Sequence, residues 1–285
     1  MNVLLKRNIK LYFRDKMNLF FSLLAIFIII ALYALFLGNV WGSEEIRSLP
    51  GADVLKYSWL TAGILAVATA TTSMGAFAVI VDDRAKKINK GFYASPVKRS
   101  HITGAYILSA FAIGVIMTLI TATVLGIYIV AIGGELLAPI SCIKVLGLIL
   151  LSSLSSTAMV CFSVSLIKSY GTFSTISTIS GTLIGFLTGI YLPIGTLPET
   201  VQTIIKLFPP SHAAMLLRQT IMEIPMQRTF EDIPAEHLEE FREMMGIVFR
   251  FGNFEVSPLT SIIGLMASAL LFYGLSLLNM RKIGR

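Results

Sequence analysis

Neighbouring carboxylates are the groups in this sequence that could do acid–base or metal chemistry. Three of the adjacent pairs consist of identical residues, which are Asp82 with Asp83, Glu44 with Glu45, and Glu239 with Glu240. The aspartate pair lacks the further aspartate, three positions on, that a Mg²⁺-diphosphate site would use. The glutamate pairs lie outside the apolar runs of the chain, and no histidine lies at helical spacing within those runs, which disfavours an intramembrane protease. A lipid-modifying or proteolytic enzyme is therefore the weakest interpretation.

The other residues that could bind a metal or a nucleotide are scattered. His101, His212 and His237 lack the spacing of metal ligands. Cys142 and Cys161 form no C-x-x-C motif, and we expect both to be buried apolar side chains. No G-x-x-x-x-G-K-[ST] loop occurs, so the chain is not predicted to hold a nucleotide. We expect no metal and no cofactor on this chain, and any use of ATP must come through another subunit.

Six apolar runs occupy most of the sequence, and each is near or above the roughly 20 residues that cross a bilayer. They lie at 19–38, 57–81, 102–131, 143–167, 171–192 and 258–278. With 55% hydrophobic and 14% charged residues among 285, the chain has no polar stretch large enough for a soluble catalytic domain. The composition predicts an all-α polytopic membrane protein with six transmembrane helices, in which 1–285 form a single transmembrane domain.

Charge divides the connecting segments into two sides. An even number of spans puts both termini on one side, which carries most of the lysines and arginines. Of the 16 acidic residues, only Asp15, Asp82 and Asp83 lie on that side. Because basic loops stay in the cytoplasm, we expect both termini there and the long segment 193–257 outside. The net charge of +7 then reflects topology and contact with anionic lipid, and no nucleic-acid partner is expected.

Residues 1–18 predict an amphipathic helix that lies in the cytoplasmic interface. Apolar side chains cluster on one side of this helix, and its basic side chains cluster on another. The basic residues are Lys6, Arg7, Lys10 and Arg14. Such a helix binds the membrane surface without crossing it. The alternative is a positively charged anchor with no mechanical task.

The cytoplasmic loop 82–100 is the best candidate for docking a soluble partner. Residues 82–90 read as a short charged helix that Gly91 ends in a left-handed cap. Phe92 and Tyr93 follow as adjacent aromatic side chains in a charged setting. A short helix with such aromatic side chains can dock into a groove. The alternative is that both aromatic residues only anchor the membrane boundary.

The fifth run carries Gly181, Gly185 and Gly189 at four-residue spacing. Small residues on one helix face let two helix backbones approach closely. The spacing predicts a tight helix–helix contact, either within one chain or between two copies.

The segment 193–257 divides into two parts. The first part has a helical apolar stripe too short to span, formed by Val201, Ile204, Ile205 and Phe208. We expect it to form a short helix that dips back towards the membrane. The second part, 229–250, interleaves glutamates with apolar residues and predicts an acidic amphipathic helix at the outer surface.

Ionisable residues are almost absent from the interiors of the predicted spans. Ion-coupled carriers place charged groups at mid-depth, because they must handle charge there. This absence disfavours a coupled secondary transporter. It favours a pathway lined by apolar and hydroxyl side chains, which suits a bulky amphiphile.

The order of these elements resembles the membrane subunit of a type-2 ABC exporter, close to the daunorubicin-resistance and multidrug permease group. The segments that carry the resemblance are KRNIKLYFRDK (6–16), ASPVKRSHITGAYIL (94–108) and LPIGTLPETVQTIIKLFPPSHAAMLLRQ (192–219). The resemblance covers essentially the whole chain. It implies a multi-pass protein of the bacterial cell membrane that pairs with a second permease subunit, as a homodimer or a heterodimer. It also implies a cytoplasmic ABC ATPase partner, which binds the ATP and Mg²⁺.

The same resemblance implies roles for particular residues. The loop between the second and third spans would be the coupling helix, with Asp82, Asp83, Arg84, Lys87, Phe92 and Tyr93. The external segment would form short re-entrant helices and an extracellular gate, with Pro193, Pro198, Phe208, Pro209 and Pro210. The glycine face of the fifth span would lie near the dimer axis.

Two functions from different classes follow from these features. The first is the permease subunit of an ATP-driven exporter, which moves a drug, a peptide antibiotic or a lipid-like amphiphile out of the cytoplasm or inner leaflet by alternating access. The alternative is a membrane scaffold or regulatory protein that transports nothing and binds a cytoplasmic partner through 82–100.

Overall fold

The structure is a computed structural model, and within the residues it describes the chain is almost entirely helical. The described residues are 1–16, 19, 28–31, 33, 35, 41, 44–94, 96–167, 169–231, 233–252 and 254–283, without the side chains of 45, 90, 93, 99 and 280–283. The main helices are α1 (Asn2–Arg14), α2 (Glu44–Arg47), α3 (Ala52–Ala85), α4 (Ile88–Tyr93), α5 (Arg99–Ala131), α6 (Pro139–Leu166), α7 (Tyr170–Leu187), α8 (Glu199–Leu207), α9 (Pro209–Ile221), α10 (Glu223–Thr229), α11 (Ala235–Met244) and α12 (Pro258–Ile283). A short antiparallel pair of strands, β1 (Arg250–Phe251) and β2 (Phe254–Glu255), precedes α12.

Four of the described helices are long and apolar enough to cross a membrane. They are α3, α5, α6 and α12, over Ala52–Ala85, Ser100–Ala131, Pro139–Leu166 and Pro258–Asn279. These helices confirm the second, third, fourth and sixth predicted spans. The first predicted span, 19–38, lies largely outside the described residues.

The fifth predicted span, 171–192, is not confirmed, and its end differs from the prediction. The corresponding helix α7 ends at Leu187 and is not among the four apolar helices. Its many serine and threonine side chains lower its hydropathy, and the chain turns directly after it. Gly189 supplies that turn with φ of +65°, a left-handed conformation that glycine adopts without steric cost.

Helix α3 is the central element of the bundle. The helices α5, α6, α7 and α9 all pack against it, and α12 packs against α6. Small residues along α3, such as Ala62, Gly63 and Ala66, allow these neighbours to approach closely. A Cβ on Gly63 would lie 3.2 Å from Ile190, so this close packing leaves little space for a side chain.

The segment 193–257 forms a packed cap at one end of α3. Residues 213–217 in the middle of α9 are buried against α3, α6 and α12. The predicted acidic helix over 229–250 is wrong in its bounds, because α11 covers only Ala235–Met244. Buried apolar side chains then run from Met245 to Phe249, so this part of the chain packs inward before the β1–β2 pair.

Candidate functional site

The carboxylate of Asp83, at the end of α3, joins three helices. Asp83 is only 2% exposed. Arg7 on α1 binds it with both guanidinium nitrogens, Nη1 to Oδ2 at 2.7 Å and Nη2 to Oδ1 at 2.8 Å. The hydroxyl of Tyr106 on α5 donates to the same Oδ2. Bidentate, charge-assisted hydrogen bonds of this kind are short and directional, so Asp83 fixes α1 and α5 against α3.

Two further contacts extend this arrangement. The Asn8 side chain is buried and donates to Ser109 Oγ on α5 at 3.3 Å, and it accepts from Arg7 at 3.1 Å. The Arg7 guanidinium also lies over the ring of Phe92 on α4, 5.3 Å from its centre. The hydrogen bond to Asp83 raises the pKa of Arg7. We call Arg7, Asn8, Asp83, Tyr106 and Ser109 the Asp83 cluster; it links α1, α3 and α5 directly and reaches α4 through Phe92.

The end of α3 differs from the predicted coupling element. The prediction of a helix over 82–90 with a cap at Gly91 is wrong, because α3 continues to Ala85 and Gly91 lies inside α4. Lys87 makes the break instead, with φ of +60°. The contacts of Asp83 hold this last turn of α3 to α1 and α5.

The remaining predicted coupling residues divide into two groups. Asp82 is partly exposed and pairs with exposed Lys86 at 2.7 Å, and Lys87 is exposed as well. Arg84 turns towards α6, where its Nη1 donates to the carbonyl of Val164 at 3.4 Å. The side chain of Tyr93 lies outside the described residues. Asp82 and Lys87 are therefore accessible from outside the chain, while Asp83 and Arg84 contact other helices of the chain.

The predicted interfacial helix is present as α1. Lys6, Lys10 and Arg14 are exposed along it, as expected for contact with lipid headgroups. Arg7 differs from these three because it faces inward to Asp83. Tyr12, one turn after the buried Asn8, packs against the C-terminal part of α3.

A cavity of about 350 Å³ lies between α3, α5 and α7. We call it the hydroxyl cavity, because it is lined on all three helices by hydroxyl side chains together with apolar ones. The hydroxyl residues are Thr71, Thr72, Thr121, Ser177, Thr178, Thr182 and Tyr191. Ser177 Oγ is buried and has no hydrogen-bond partner among the described residues. A guest with a few polar atoms on an apolar body would match this lining.

A seam of serine and threonine side chains holds the spans together beside this cavity. Thr69 and Ser73 on α3 lie 3.2 Å from Ser156 and Thr157 on α6, oxygen to oxygen. Ser155 and Ser268 join α6 to α12 in the same way, at 2.7 Å. The sequence analysis missed this seam, although the run SSLSST at 152–157 is its visible signal.

The three spaced glycines do not form one helix face. Gly181 lies on α7 with open space around it and lines the hydroxyl cavity. Gly185 lies beneath the ring of Tyr191, where a Cβ would overlap that ring. Gly189 lies in the turn after α7, against Ile194. The three glycines therefore have separate roles: one lines a cavity, one allows an aromatic contact, and one forms a turn.

Arg218 on α9 is fully buried in the cap segment. Its Nη2 donates to the carbonyls of Thr188 and Gly189, both at 3.1 Å, and its Nη1 approaches the carbonyl of Gly246 at 3.4 Å. The guanidinium lies over the ring of Trp59 on α3, 4.7 Å from its centre. Burial lowers the pKa of Arg218 to about 9. Sequence reasoning missed this residue, whose signal is a single arginine within an apolar helix.

The predicted gate residues lie at the starts of the short helices next to Arg218. Pro193 precedes a short 3₁₀ turn at Ile194–Thr196, and Pro198 precedes α8. Phe208 precedes α9, which Pro209 and Pro210 begin. Proline suits the first turn of a helix because the missing N–H has no partner there. These residues therefore set where α8 and α9 begin.

Comparison with known proteins identifies the membrane bundle. A family model described as ABC-2 type transporter matches residues 1–222. A comparison with curated proteins gave no match. The matched stretch contains the Asp83 cluster, the hydroxyl cavity and Arg218, and it ends where α10 begins.

Proposed function

The chain belongs to the ABC-2 type transporter family and is a multi-pass membrane component of the permease kind, and from this premise we propose that it forms the substrate pathway of an ATP-driven exporter. The ATP is hydrolysed on a separate cytoplasmic ABC subunit, which also binds the Mg²⁺. The substrate is a hydrophobic or amphiphilic molecule of the drug, peptide-antibiotic or lipid-like class. In this arrangement both termini lie in the cytoplasm and 193–257 lies outside, as the positive-inside rule favours.

The observation that carries the proposal is the contact between Arg7 and both Asp83 and Phe92. Phe92 lies on α4, the short helix beyond the end of α3. A partner that moves α4 would act directly on Arg7, and through Asp83 and Tyr106 on α1, α3 and α5. Closure of the ATPase pair on ATP would thus be passed to the spans as a rigid-body shift. The partly exposed Asp82 and the exposed Lys87 would contact the ATPase at the base of α4.

The hydroxyl cavity would be part of the pathway. Hydroxyl groups can satisfy the few polar atoms of an amphiphile, while the apolar lining residues contact its body. The cavity borders α7, whose outward residues Ile179, Leu183 and Phe186 are exposed in the single chain. We propose that a second permease subunit covers this apolar stripe. The cavities of two subunits would then lie on either side of a common axis, with α8 and α9 as the gate at the outer end.

The test is to co-express the chain with its nearest encoded ABC ATPase, purify the complex through a tag on this chain, and measure vanadate-sensitive ATP hydrolysis in lipid. A stoichiometric complex with substrate-stimulated hydrolysis is expected. Phe92→Ala should lower the stimulation about tenfold while leaving the complex folded, because it removes the contact between α4 and Arg7. Val97→Ala is the matched control, since Val97 is exposed on the same loop outside α4.

Two results would contradict the proposal. A chain that purifies alone and never stimulates hydrolysis would favour a scaffold that binds some other partner through 82–100. Unchanged stimulation in Phe92→Ala, with a normal complex, would reject α4 as the coupling element and leave the permease assignment standing.

A further inference from the structure

A second cavity, of about 630 Å³, lies between α3, α5 and α6 at the end nearest to 193–257. We call it the lateral cleft, and it shares no lining residue with the hydroxyl cavity. Helix α10 borders it through Ile224 and Pro225. Ile127 and Leu136, at its rim, are 66% and 77% exposed, so apolar side chains surround its entrance. The volume falls within the range of about 300–1,000 Å³ that is usual for small-molecule sites.

The length of the lateral cleft corresponds to one leaflet of a bilayer. Its wall on α3 runs from Gly51 to Leu65, which is about 20 Å at 1.5 Å per residue. The hydrocarbon of one leaflet is roughly 15 Å deep, half of the bilayer core. The floor is formed by Leu65 and Ile149, both fully buried and apolar. An extended acyl chain that enters from the membrane surface would therefore reach this floor.

The mouth of the lateral cleft carries an ion pair. Arg228 Nη2 donates to Glu135 Oε1 at 2.9 Å, and both side chains are exposed. They are the two charged side chains that line the cleft in the described part of the chain. A zwitterionic headgroup offers one charge of each sign at similar spacing. Its phosphate would pair with Arg228 and its ammonium with Glu135, so no charge would lose its partner.

We propose that the lateral cleft binds a zwitterionic phospholipid with a primary ammonium headgroup, with one acyl chain in the cleft and the headgroup between Arg228 and Glu135. A membrane-spanning helix of a second copy is a poorer occupant, because the interiors of the predicted spans carry almost no ionisable residues to match Arg228 and Glu135. This lipid is a bound component of the subunit, and its binding does not depend on the transport activity proposed above.

Substitution of a glycine in the cleft wall can fill the lateral cleft without disturbing the helix bundle. Gly126 on α5 lines the cleft, and a Cβ there would meet no atom within 4 Å. Gly126→Leu should therefore place its side chain in the open cleft and exclude the acyl chain. Gly147→Leu on α6 is the matched control, because Gly147 also has open space around it and lies outside the cleft lining.

The experiment is native mass spectrometry of the purified chain, equilibrated with phosphatidylethanolamine or phosphatidylglycerol of identical acyl chains. One retained phosphatidylethanolamine per chain is expected, with phosphatidylglycerol retained about tenfold less, as the loss of one charge-assisted hydrogen bond implies. Gly126→Leu should abolish retention, and Gly147→Leu should not. Arg228→Gln and Glu135→Gln should each lower it about tenfold.

Three outcomes would overturn the proposal. Equal retention of the two lipids would reject recognition of the ammonium group. Equal retention by Gly126→Leu and the unaltered chain would place the lipid elsewhere. A second copy of the chain in place of a lipid, lost on Gly126→Leu, would identify the cleft as an interface between subunits.

Discussion

Two buried charged groups stabilise opposite ends of α3 by different means. At one end, Asp83 binds the side chains of Arg7 and Tyr106, so a negative charge has a positive partner. At the other, Arg218 binds main-chain carbonyls and the ring of Trp59, with no carboxylate among its described hydrogen-bond partners. The first site joins helices through side chains that substitution can change one by one. The second joins chain segments through their backbone, so substitution can change only Arg218 itself and the ring of Trp59.

This difference suggests different tasks for the two ends. Side-chain ion pairs can exchange partners, so we expect that the helices around Asp83 can move between two arrangements. The carbonyls at Thr188 and Gly189 have fixed directions, and Arg218 holds them at one distance from α9. We expect movement to begin at the Asp83 end and the cap at the Arg218 end to move as one body.

The largest effect is expected for Arg218→Ala. The change leaves buried carbonyls without a donor and opens a cavity over Trp59, which together cost about 4 kcal/mol of unfolding free energy. Thermal unfolding followed by circular dichroism in lipid nanodiscs measures the loss. Gln219→Ala is the control, because Gln219 donates a single hydrogen bond to the carbonyl of Ile247 at 2.8 Å and should cost about 1 kcal/mol. Equal losses of unfolding free energy for the two variants would contradict the prediction that Arg218 stabilises the cap more than its neighbour does.

The next effect is expected at the Asp83 end. Asp83→Asn keeps the shape and removes the charge, at a cost of about 2 kcal/mol, because hydrogen bonds to charged groups are the stronger ones. A double-mutant cycle with Arg7→Met should give a coupling energy of about 1.5 kcal/mol. Lys6→Met is the control partner, since Lys6 is exposed on the same helix and should show no coupling. A coupling energy no larger for Arg7 than for Lys6 would show that Asp83 and Arg7 do not stabilise the fold as a pair.

A smaller effect is expected from pH at the Arg218 end. His212 on α9 lies 3.0 Å from Ser261 Oγ, and burial lowers the pKa of His212. The unfolded chain then takes up a proton at a higher pH than the folded chain does. Stability should therefore fall as the pH drops below the ordinary histidine pKa of about 6.5, towards the lowered folded value. The unfolding midpoint of His212→Gln should vary less between pH 7.5 and 5.5, and an identical pH profile would reject His212 as the cause.

The smallest effect is expected at the surface of the cap. Arg250 pairs with Glu239, Glu243 and Glu255 at 2.9, 3.5 and 3.2 Å, and these side chains are partly exposed. Salt screens such pairs. The destabilisation by Arg250→Gln should therefore disappear in high salt, whereas that of Arg218→Ala should persist. A loss for Arg250→Gln that salt does not change would show that this pair network is shielded from solvent.

Much of the fold was predictable from the sequence, because long apolar runs have few alternatives to a membrane helix. Four apolar helices long enough to span and the amphipathic helix α1 followed from apolar and basic patterning alone. The end of α7 was not predictable in this way, because a helix rich in serine and threonine can be either a membrane span or a shorter helix packed within the protein. The end of α11 depends on the burial of Met245 and Phe249, which pack against residues that are distant in the sequence, such as those of α3.

The candidate site was predictable only in part. Asp82 and Asp83 are adjacent, so on a helix their side chains point about 100° apart and only one of them can face Arg7 directly. The sequence does not give the register of α3 beyond the membrane, and that register decides which aspartate binds Arg7. Lys87 in a left-handed conformation replaced the glycine that local rules favour, because the contacts of the last turn of α3 fix where that helix ends.

The position of Trp59 gives the Arg218 end an optical signal of its own. The chain has 2 tryptophans, and Trp41 and Trp59 are both buried in the apolar cluster beside the cap. Trp59 Nε1 donates to the carbonyl of Met245 at 2.8 Å, and its indole faces the Arg218 guanidinium. Intrinsic tryptophan fluorescence therefore reports on movement of the cap relative to α3, and it gives no signal from the Asp83 end, where there is no tryptophan. In a complex with the proposed ATPase, a change in this emission after ATP addition would show that movement of α4 reaches Trp59.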